Sequence, residues 1–270
     1  LMHTLSKFQT HHLQDIEYVL CDIDDTISTN GNLTPAAYSA LWRLQNAGFK
    51  VIPVTGRPAG WCDYFARMWP INAIVGENGA FYFRYDPENK IFHKRFYADL
   101  ETRKSNRRQI DKIAEIILRD VPGCALTSDQ PYREADIAID FCEDVSVLSE
   151  CDILRIVSIM EQNGMSAKVS SIHVNGWIGD YDKLSMTGYL FQEVFDCDIH
   201  LEKNKIVFIG DSPNDQPMFN FFPNSVGVAN VKNFTSQLIY EPTYITELEA
   251  GSGFVELTDL LIANHLTAAV

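Results

Sequence analysis

The sequence predicts an α/β protein with a doubly wound parallel sheet, interrupted by an inserted α+β domain. Three observations predict it. Short apolar runs at 19–21, 51–54 and 73–75 alternate with helical patterns. That βαβαβ rhythm calls for parallel strands. Parallel-strand character returns late, at 206–209 and 225–228. Between these stretches, a helix followed by two short strands occurs twice.

Each element has a local reason. Thr34 then Pro35 reads as a helix start and Gly48 as its stop. The run at 51–54 is the next strand, followed by a helix near 60–68 and a short strand at 73–75. Gly76-Glu-Asn-Gly-Ala80 breaks this rhythm. The runs 81–83 and 91–96, split by Asp86-Pro-Glu-Asn89, read as a hairpin. Ile110, Ile113, Ala114 and Ile117 then share a helix face, with strands expected at 125–127 and 137–141. Ile153, Ile156, Val157 and Met160 mark a second helix, with strands at 167–169 and 172–174. The tight strand connections imply an antiparallel sheet with two helices on one face. The expected division is a core of 1–83 and 179–270 with an insert at 84–178. Lys183 opens a helix bearing Leu184, Thr187, Phe191 and Phe195, and 254–263 reads as a closing helix.

The 270 residues are 46% hydrophobic, enough for one large or two modest domains. No run approaches the roughly 20 apolar residues of a membrane span. The start, Leu1-Met-His-Thr, lacks the pattern of a secretory signal, and Leu1 reads as an artificial remnant. Six cysteines without a Cys-x-x-Cys pair imply reduced, mostly buried thiols in a cytoplasmic protein. The net charge of −14 argues against nucleic acid and anionic membranes as partners. The one basic stretch, Arg103-Lys-Ser-Asn-Arg-Arg108, reads as a solvated helix face. Oligomeric state has no signature in the chain.

Chemistry concentrates at strand ends. Tyr18-Val-Leu-Cys-Asp-Ile-Asp-Asp-Thr26 places Asp22 and Asp24 two apart after an apolar run. In an extended chain they face one side. One carboxylate can attack phosphorus while the other moves protons. Nothing local neutralises the acids, and a divalent cation such as magnesium would. Val51-Ile-Pro-Val-Thr-Gly-Arg57 ends in a hydroxyl and a glycine that lets backbone approach a phosphate. Lys183 at a helix start opposes the dipole unless ammonium and helix end face one anion. Ile206-Val-Phe-Ile-Gly-Asp-Ser-Pro-Asn-Asp215 ends in Asp211 and Asp215. Helix capping needs one such acid, so the pair favours metal. Asp22, Thr55 and Asp211 all fall where doubly wound sheets bind ligands, beyond the carboxyl ends of the strands.

With these four segments in this order, the chain resembles the haloacid dehalogenase superfamily of phosphohydrolases. Its α-β-β-α-β-β insert resembles the superfamily's type II-B cap on a Rossmann-like core, as in Cof-type and sucrose-phosphate phosphatases. The resemblance implies that Asp22 is the nucleophile and that Asp24 protonates the leaving group and then activates water. It implies that Thr55 and Lys183 hold the phosphoryl group, and that Mg2+ is bound by Asp22, Asp24 (through its carbonyl), Asp211 and Asp215. The implied partner is a small phosphorylated metabolite, such as a sugar phosphate. A phosphomutase, or a non-catalytic phosphosugar-binding module, stays open as an alternative. Further candidates for substrate contact are Gly56, Arg57, Asn78 and Asn214, with His173 and Asn175 from the strand leading back to the core. Trp177 shares their face and reads equally as junction packing. Where many members have Gly-x-x-Lys-Gly, this chain has Asp182-Lys183-Leu184.

Overall fold

The computed structural model describes residues 2–265; Leu1 lies outside them. In chain order the elements are β1 (His3–Thr4), α1 (Thr10–Asp15), β2 (Tyr18–Cys21), α2 (Pro35–Asn46), β3 (Lys50–Pro53), α3 (Ala59–Met68) and β4 (Ile74–Gly76). There follow β5 (Phe81–Asp86), β6 (Ile91–Phe96), α4 (Leu100–Asp120), β7 (Ala125–Leu126), β8 (Asp136–Asp140), α5 (Glu150–Gln162), β9 (Ser166–Val169) and β10 (His173–Trp177). The chain ends with α6 (Lys183–Val194), α7 (Ile199–Glu202), β11 (Ile206–Gly210), α8 (Gln216–Phe221), β12 (Asn224–Gly227), β13 (Tyr244–Ile245) and α9 (Ala250–Asn264).

The main sheet has the order β1-β13-β12-β11-β2-β3, and every pairing in it is parallel. Alternation along its strands divides the core. Val19, Cys21, Val51, Val207 and Ile209 face one side, with residues of α2 and α9. Leu20, Ile52, Ile206 and Phe208 face the other, with Met186, Leu190 and Phe191 of α6. Period-two alternation with apolar residues in both phases demands helices on both faces. Phe208 is wholly buried; its truncation to Ala would cost about 3–5 kcal/mol. Thr34 caps α2 by accepting from the Ala37 amide, and Gly48 ends the turn beyond it at φ +98°.

A second sheet, β7-β8-β10-β9, is antiparallel throughout. Ile110, Ile113 and Ile117 of α4 and Ile156 and Met160 of α5 cover it in a hydrophobic cluster of their own.

Three details differ from the sequence reading. The strand expected third in the parallel sheet, β4, pairs antiparallel with β5, and β5 with β6. It touches the main sheet through one parallel bridge, Val54 to Val75. Phe81 and Phe83 of this hairpin lie in the core cluster, with Phe92 and Phe96 packed against it. Among the cysteines, Cys21 and Cys62 are buried, Cys124, Cys142 and Cys197 are half-buried, and Cys151 is exposed; all are free. The basic stretch is also partly structural. Arg103 lies 3.7 Å over the Phe96 ring and Arg107 donates to the Asp136 carbonyl.

Candidate active site

Parallel pairing brings the ends of β11, β2 and β3 side by side. Asp22 extends its strand by one step, its amide donating to the Ile209 carbonyl at 2.9 Å. The chain then turns, with Asp25 at φ +53°. Asp211 follows β11, and Asp215 folds back so that one carboxylate oxygen accepts from the Asp211 and Ser212 amides at 3.0 and 3.3 Å. A Cβ on Gly210 would lie 2.3 Å from that oxygen, so the return requires glycine. Lys183 comes from the start of α6. A Cβ on Gly79 would lie 2.0 Å from the Asp182 carbonyl, so the approach of that helix also requires glycine.

The buried Lys183 Nζ donates to Asp22 Oδ1 at 3.0 Å and to Asp215 Oδ1 at 2.7 Å. Burial opposes its charge, but Asp215 and Asp22 hold its pKa above the ordinary lysine value. Asp22 is pushed up to about 7, mainly by burial, with Asp215 and Asp24 adding to the shift and Lys183 opposing it. Burial, with Asp22 and Asp215 beside it, raises Asp211 well above the usual carboxylate range. One ammonium therefore pairs with two of three buried acids, Asp22 and Asp215, and leaves Asp211 without a cation among the described residues.

Oxygens of Asp22, Asp211 and Asp215 lie within 4.8 Å of one another. Asp211 Oδ1 is buried with no hydrogen-bond partner. An all-oxygen donor set with an unpartnered buried carboxylate oxygen and surplus negative charge fits a hard divalent cation. The metal role expected of Asp24 belongs to its backbone carbonyl, and its carboxylate accepts from Arg57 Nε.

Thr55, Gly56, Asn78, Asn175 and Asn214 gather beside this centre. The Thr55 carbonyl accepts from the Asn78 amide, and Asn214 Nδ2 donates to Asn78 Oδ1 at 3.2 Å. A Cβ on Gly56 would lie 3.1 Å from Asn78 Nδ2 and 3.5 Å from Asn175 Oδ1. Asn78 Nδ2 is buried without a partner. Such an orphaned donor suits an anionic oxygen, and the tight approach to Gly56 leaves no room for a side chain between them. Thr55 Oγ1 accepts from the Arg57 amide at 3.0 Å.

Arg57 links this centre to the second sheet's loops. Its Nε donates to both Asp24 oxygens at 3.0 and 2.9 Å, and Nη2 to Asp24 Oδ1 at 2.8 Å. Nη1 reaches Asp129 at 3.1 Å and Nη2 reaches Glu143 at 2.7 Å. Trp61 stacks 4.4 Å from the guanidinium carbon. Arg57 is thus engaged by acids rather than presented freely to a ligand. His173 Nε2 meets Glu143 Oε2 at 2.7 Å, and Asn175 donates to Asp136 at 3.1 Å. Both belong to the same interface. Trp177 is packing: its ring lies in the core cluster and its indole donates to the Tyr181 carbonyl at 3.1 Å.

The sequence reading did not single out four residues of this region. Glu77, at φ +45°, accepts from the Ala59, Glu134, Ala135 and Asp136 amides. Its neighbour Asn78 was the available signal. Asn230 donates to the Asp25 carbonyl at 3.0 Å and to Asp211 at 3.4 Å; its place just beyond β12, at a carboxyl strand end, could have marked it. Asp129 and Glu143 carry no local pattern that separates them from surface acids.

The profile of the haloacid dehalogenase-like hydrolases matches residues 19–120. A phosphoglycolate phosphatase of Methanosarcina mazei is 26% identical over 251 residues, covering 91% of this chain and 96% of that protein. Among solved structures, the Thermoplasma acidophilum protein 0175 superimposes with a TM-score of 0.67 at 16% identity, covering 91% of this chain and 98% of that one. The sucrose-phosphatase of Synechocystis, solved with sucrose and phosphate, gives 0.61 at 15% identity, covering 92% and 98%. No described helix is long and apolar enough to cross a membrane. Over residues 19–120, from β2 to the end of α4, the chain is thus similar to the haloacid dehalogenase-like hydrolases, and it shares its fold with these solved structures.

Proposed function

We propose that this chain is a magnesium-dependent phosphatase that hydrolyses a small sugar phosphate through an aspartyl-phosphate on Asp22. The observation that carries the reading is the buried meeting of Asp22, Lys183, Asp211 and Asp215 at adjacent strand ends. Phosphoryl transfer needs charge neutralisation and in-line positioning more than elaborate covalent chemistry. The solved sucrose-phosphatase with bound sucrose and phosphate, and the phosphoglycolate phosphatase relative, support the reaction class.

In the proposed cycle, an Asp22 oxygen attacks phosphorus and the ester P–O bond breaks. Asp24, which must enter this step protonated, gives its proton to the departing alkoxide. A water then attacks the same phosphorus, losing its proton to Asp24, and the phosphorus–Asp22 bond breaks to release phosphate. Lys183 orients Asp22 and offsets phosphoryl charge, while Thr55, Gly56, Asn78 and Asn214 cradle the phosphoryl oxygens. Mg2+ held by Asp22, Asp211 and Asp215 would supply further charge neutralisation. Residues 84–178 serve as the cap, with His173 and Asn175 bracing it where it meets the core. The free cysteines fit a reducing compartment, and we read the protein as cytoplasmic.

The test is phosphate release from a panel of phosphorylated sugars, nucleotides and glycerates, with and without magnesium. Magnesium-dependent turnover of sugar phosphates is expected. No hydrolysis of any of them, or of p-nitrophenyl phosphate, by the magnesium-loaded protein would overturn the reading.

A further inference from the structure

Between the turn after β2 and the loops of the second sheet lies a cavity of about 310 Å³, lined by Asp24, Asp25, Ser28, Arg57, Glu143 and Ser171 among others. It sits at the lower end of the roughly 300–1,000 Å³ of small-ligand pockets. Asp24 borders it, so it is where a leaving group would lie under the phosphatase reading, on which this inference rests. Three carboxylates line it, those of Asp24, Asp25 and Glu143, against one guanidinium, Arg57.

That guanidinium is already committed. Of its five N–H groups, Asp24 takes the one at Nε and one at Nη2, Glu143 the other at Nη2, and Asp129 one at Nη1. A single Nη1 hydrogen is left, and Trp61 stacks on the guanidinium. Arginine recognises a ligand carboxylate best through two parallel N–H groups, and this one cannot offer them while Glu143 is in place. A carboxylate would also meet the acidic groups of Asp25 and Glu143 across a small cavity. A hydroxyl group meets the opposite situation, because ionised carboxylates accept strongly from O–H donors.

We infer that Glu143 determines specificity by the charge of the leaving group. By occupying Nη2 of Arg57 and adding its own carboxylate to the cavity, it admits uncharged, hydroxyl-bearing leaving groups and refuses carboxylate-bearing ones. His173, at 2.7 Å from its second oxygen, holds Glu143 in that position. The chain would then differ in substrate from its phosphoglycolate phosphatase relative despite the shared fold.

The experiment compares kcat/KM for glucose 6-phosphate and 2-phosphoglycolate in the magnesium-loaded wild type, Glu143→Ala and Glu143→Gln. Wild type should favour the sugar phosphate. Glu143→Ala frees a second N–H on Arg57 and removes one charge, and should shift the ratio toward phosphoglycolate by about tenfold or more. Glu143→Gln keeps an oxygen on Arg57, protects the fold and should shift the ratio the same way by a smaller factor. A wild type that prefers phosphoglycolate, or equal losses on both substrates in the variants, would overturn the inference while leaving the phosphatase reading intact. A wild type inert toward these and p-nitrophenyl phosphate would overturn that reading and this inference with it.

Discussion

Lys183 and Asp22, 161 positions apart in sequence, meet at 3.0 Å in a site closed to solvent. The same ammonium holds Asp215 at 2.7 Å. A lysine placed this way fixes the rotamer of one acid and lowers the repulsion between two.

Asp22 is therefore expected to be indispensable to turnover. Asp22→Asn keeps the shape and an acceptor for Lys183 but removes the anion proposed as nucleophile. Turnover of p-nitrophenyl phosphate should fall by at least about 10³-fold, with the melting temperature at or above that of wild type, since one buried charge is gone. Activity within tenfold of wild type in the pure variant would count against Asp22 as nucleophile.

Removing Lys183 has the opposite effect on stability. Lys183→Met leaves Asp22 and Asp215 buried without their cation, and breaking a buried pair this way costs about 3–5 kcal/mol. The loss should be largest in chelator and above the Asp22 value of about 7. Below that pH Asp22 takes a proton and the penalty shrinks. Denaturant melts at two pH values would check it; equal stability loss at both would contradict the electrostatic account.

Metal binding should stabilise the protein as well as activate it. Magnesium at 100 times its dissociation constant would add about 2.7 kcal/mol, because it answers the surplus charge on Asp22, Asp211 and Asp215. Thermal melts with added magnesium should rise and those in chelator fall, with turnover lost in parallel. A flat melting temperature across a magnesium titration would argue against a site at these three acids. Calcium supporting turnover as well as magnesium would argue against a tight octahedral site.

The parts legible in sequence were those whose signal is local. Asp22, Asp24, Thr55, Asp211 and Asp215 each terminate or follow an apolar strand run, and a parallel sheet must bring such ends together. The α-β-β repeat of the insert was legible through helical spacing at Ile110 to Ile117 and Ile153 to Met160. What stayed hidden was tertiary. The partner of β4 depends on the hairpin's aromatic residues entering the core, which a three-residue run cannot announce. Two-residue strands such as β1 and β13 exist only because a neighbour's edge was open. That Arg57 would be taken up by Asp129 and Glu143, 72 and 86 positions away, left no trace near Thr55.

Glu143 gives the interface an acid limit. Burial raises its pKa, but His173 and Arg57 outweigh that and bring it down to about 2 from an ordinary 4.5. A depressed carboxylate stabilises the fold fully above its unfolded value and loses that contribution as pH falls through its folded value. Stability should therefore decline between about pH 4.5 and about pH 2, and Glu143→Gln should lack this part of the decline. Matching pH slopes for wild type and variant over that window would contradict it.

Glu77, in the turn after β4, holds the start of α3 and the entry to β8 together, and this tie can be tested without any substrate. One oxygen accepts from the amides of Ala59 and Glu134, both at 2.9 Å; the other accepts from Ala135 at 2.7 Å and Asp136 at 3.1 Å. The first of these belongs to the start of α3, where Pro58 offers no side-chain cap. The other three belong to the bend before β8 and to its first residue. Glu77→Gln keeps one acceptor oxygen and turns an NH2 group toward two N–H donors, so two amides, one buried and one part-buried, lose their partners whichever way the amide lies. Each stranded donor costs about 1–3 kcal/mol, giving a loss of about 2–6 kcal/mol. The local signature is hydrogen exchange at 134–136, which should accelerate in the variant relative to amides in the middle of β11. Equal acceleration at 134–136 and in the middle of β11 would mean that Glu77 supports the fold as a whole rather than joining these two parts.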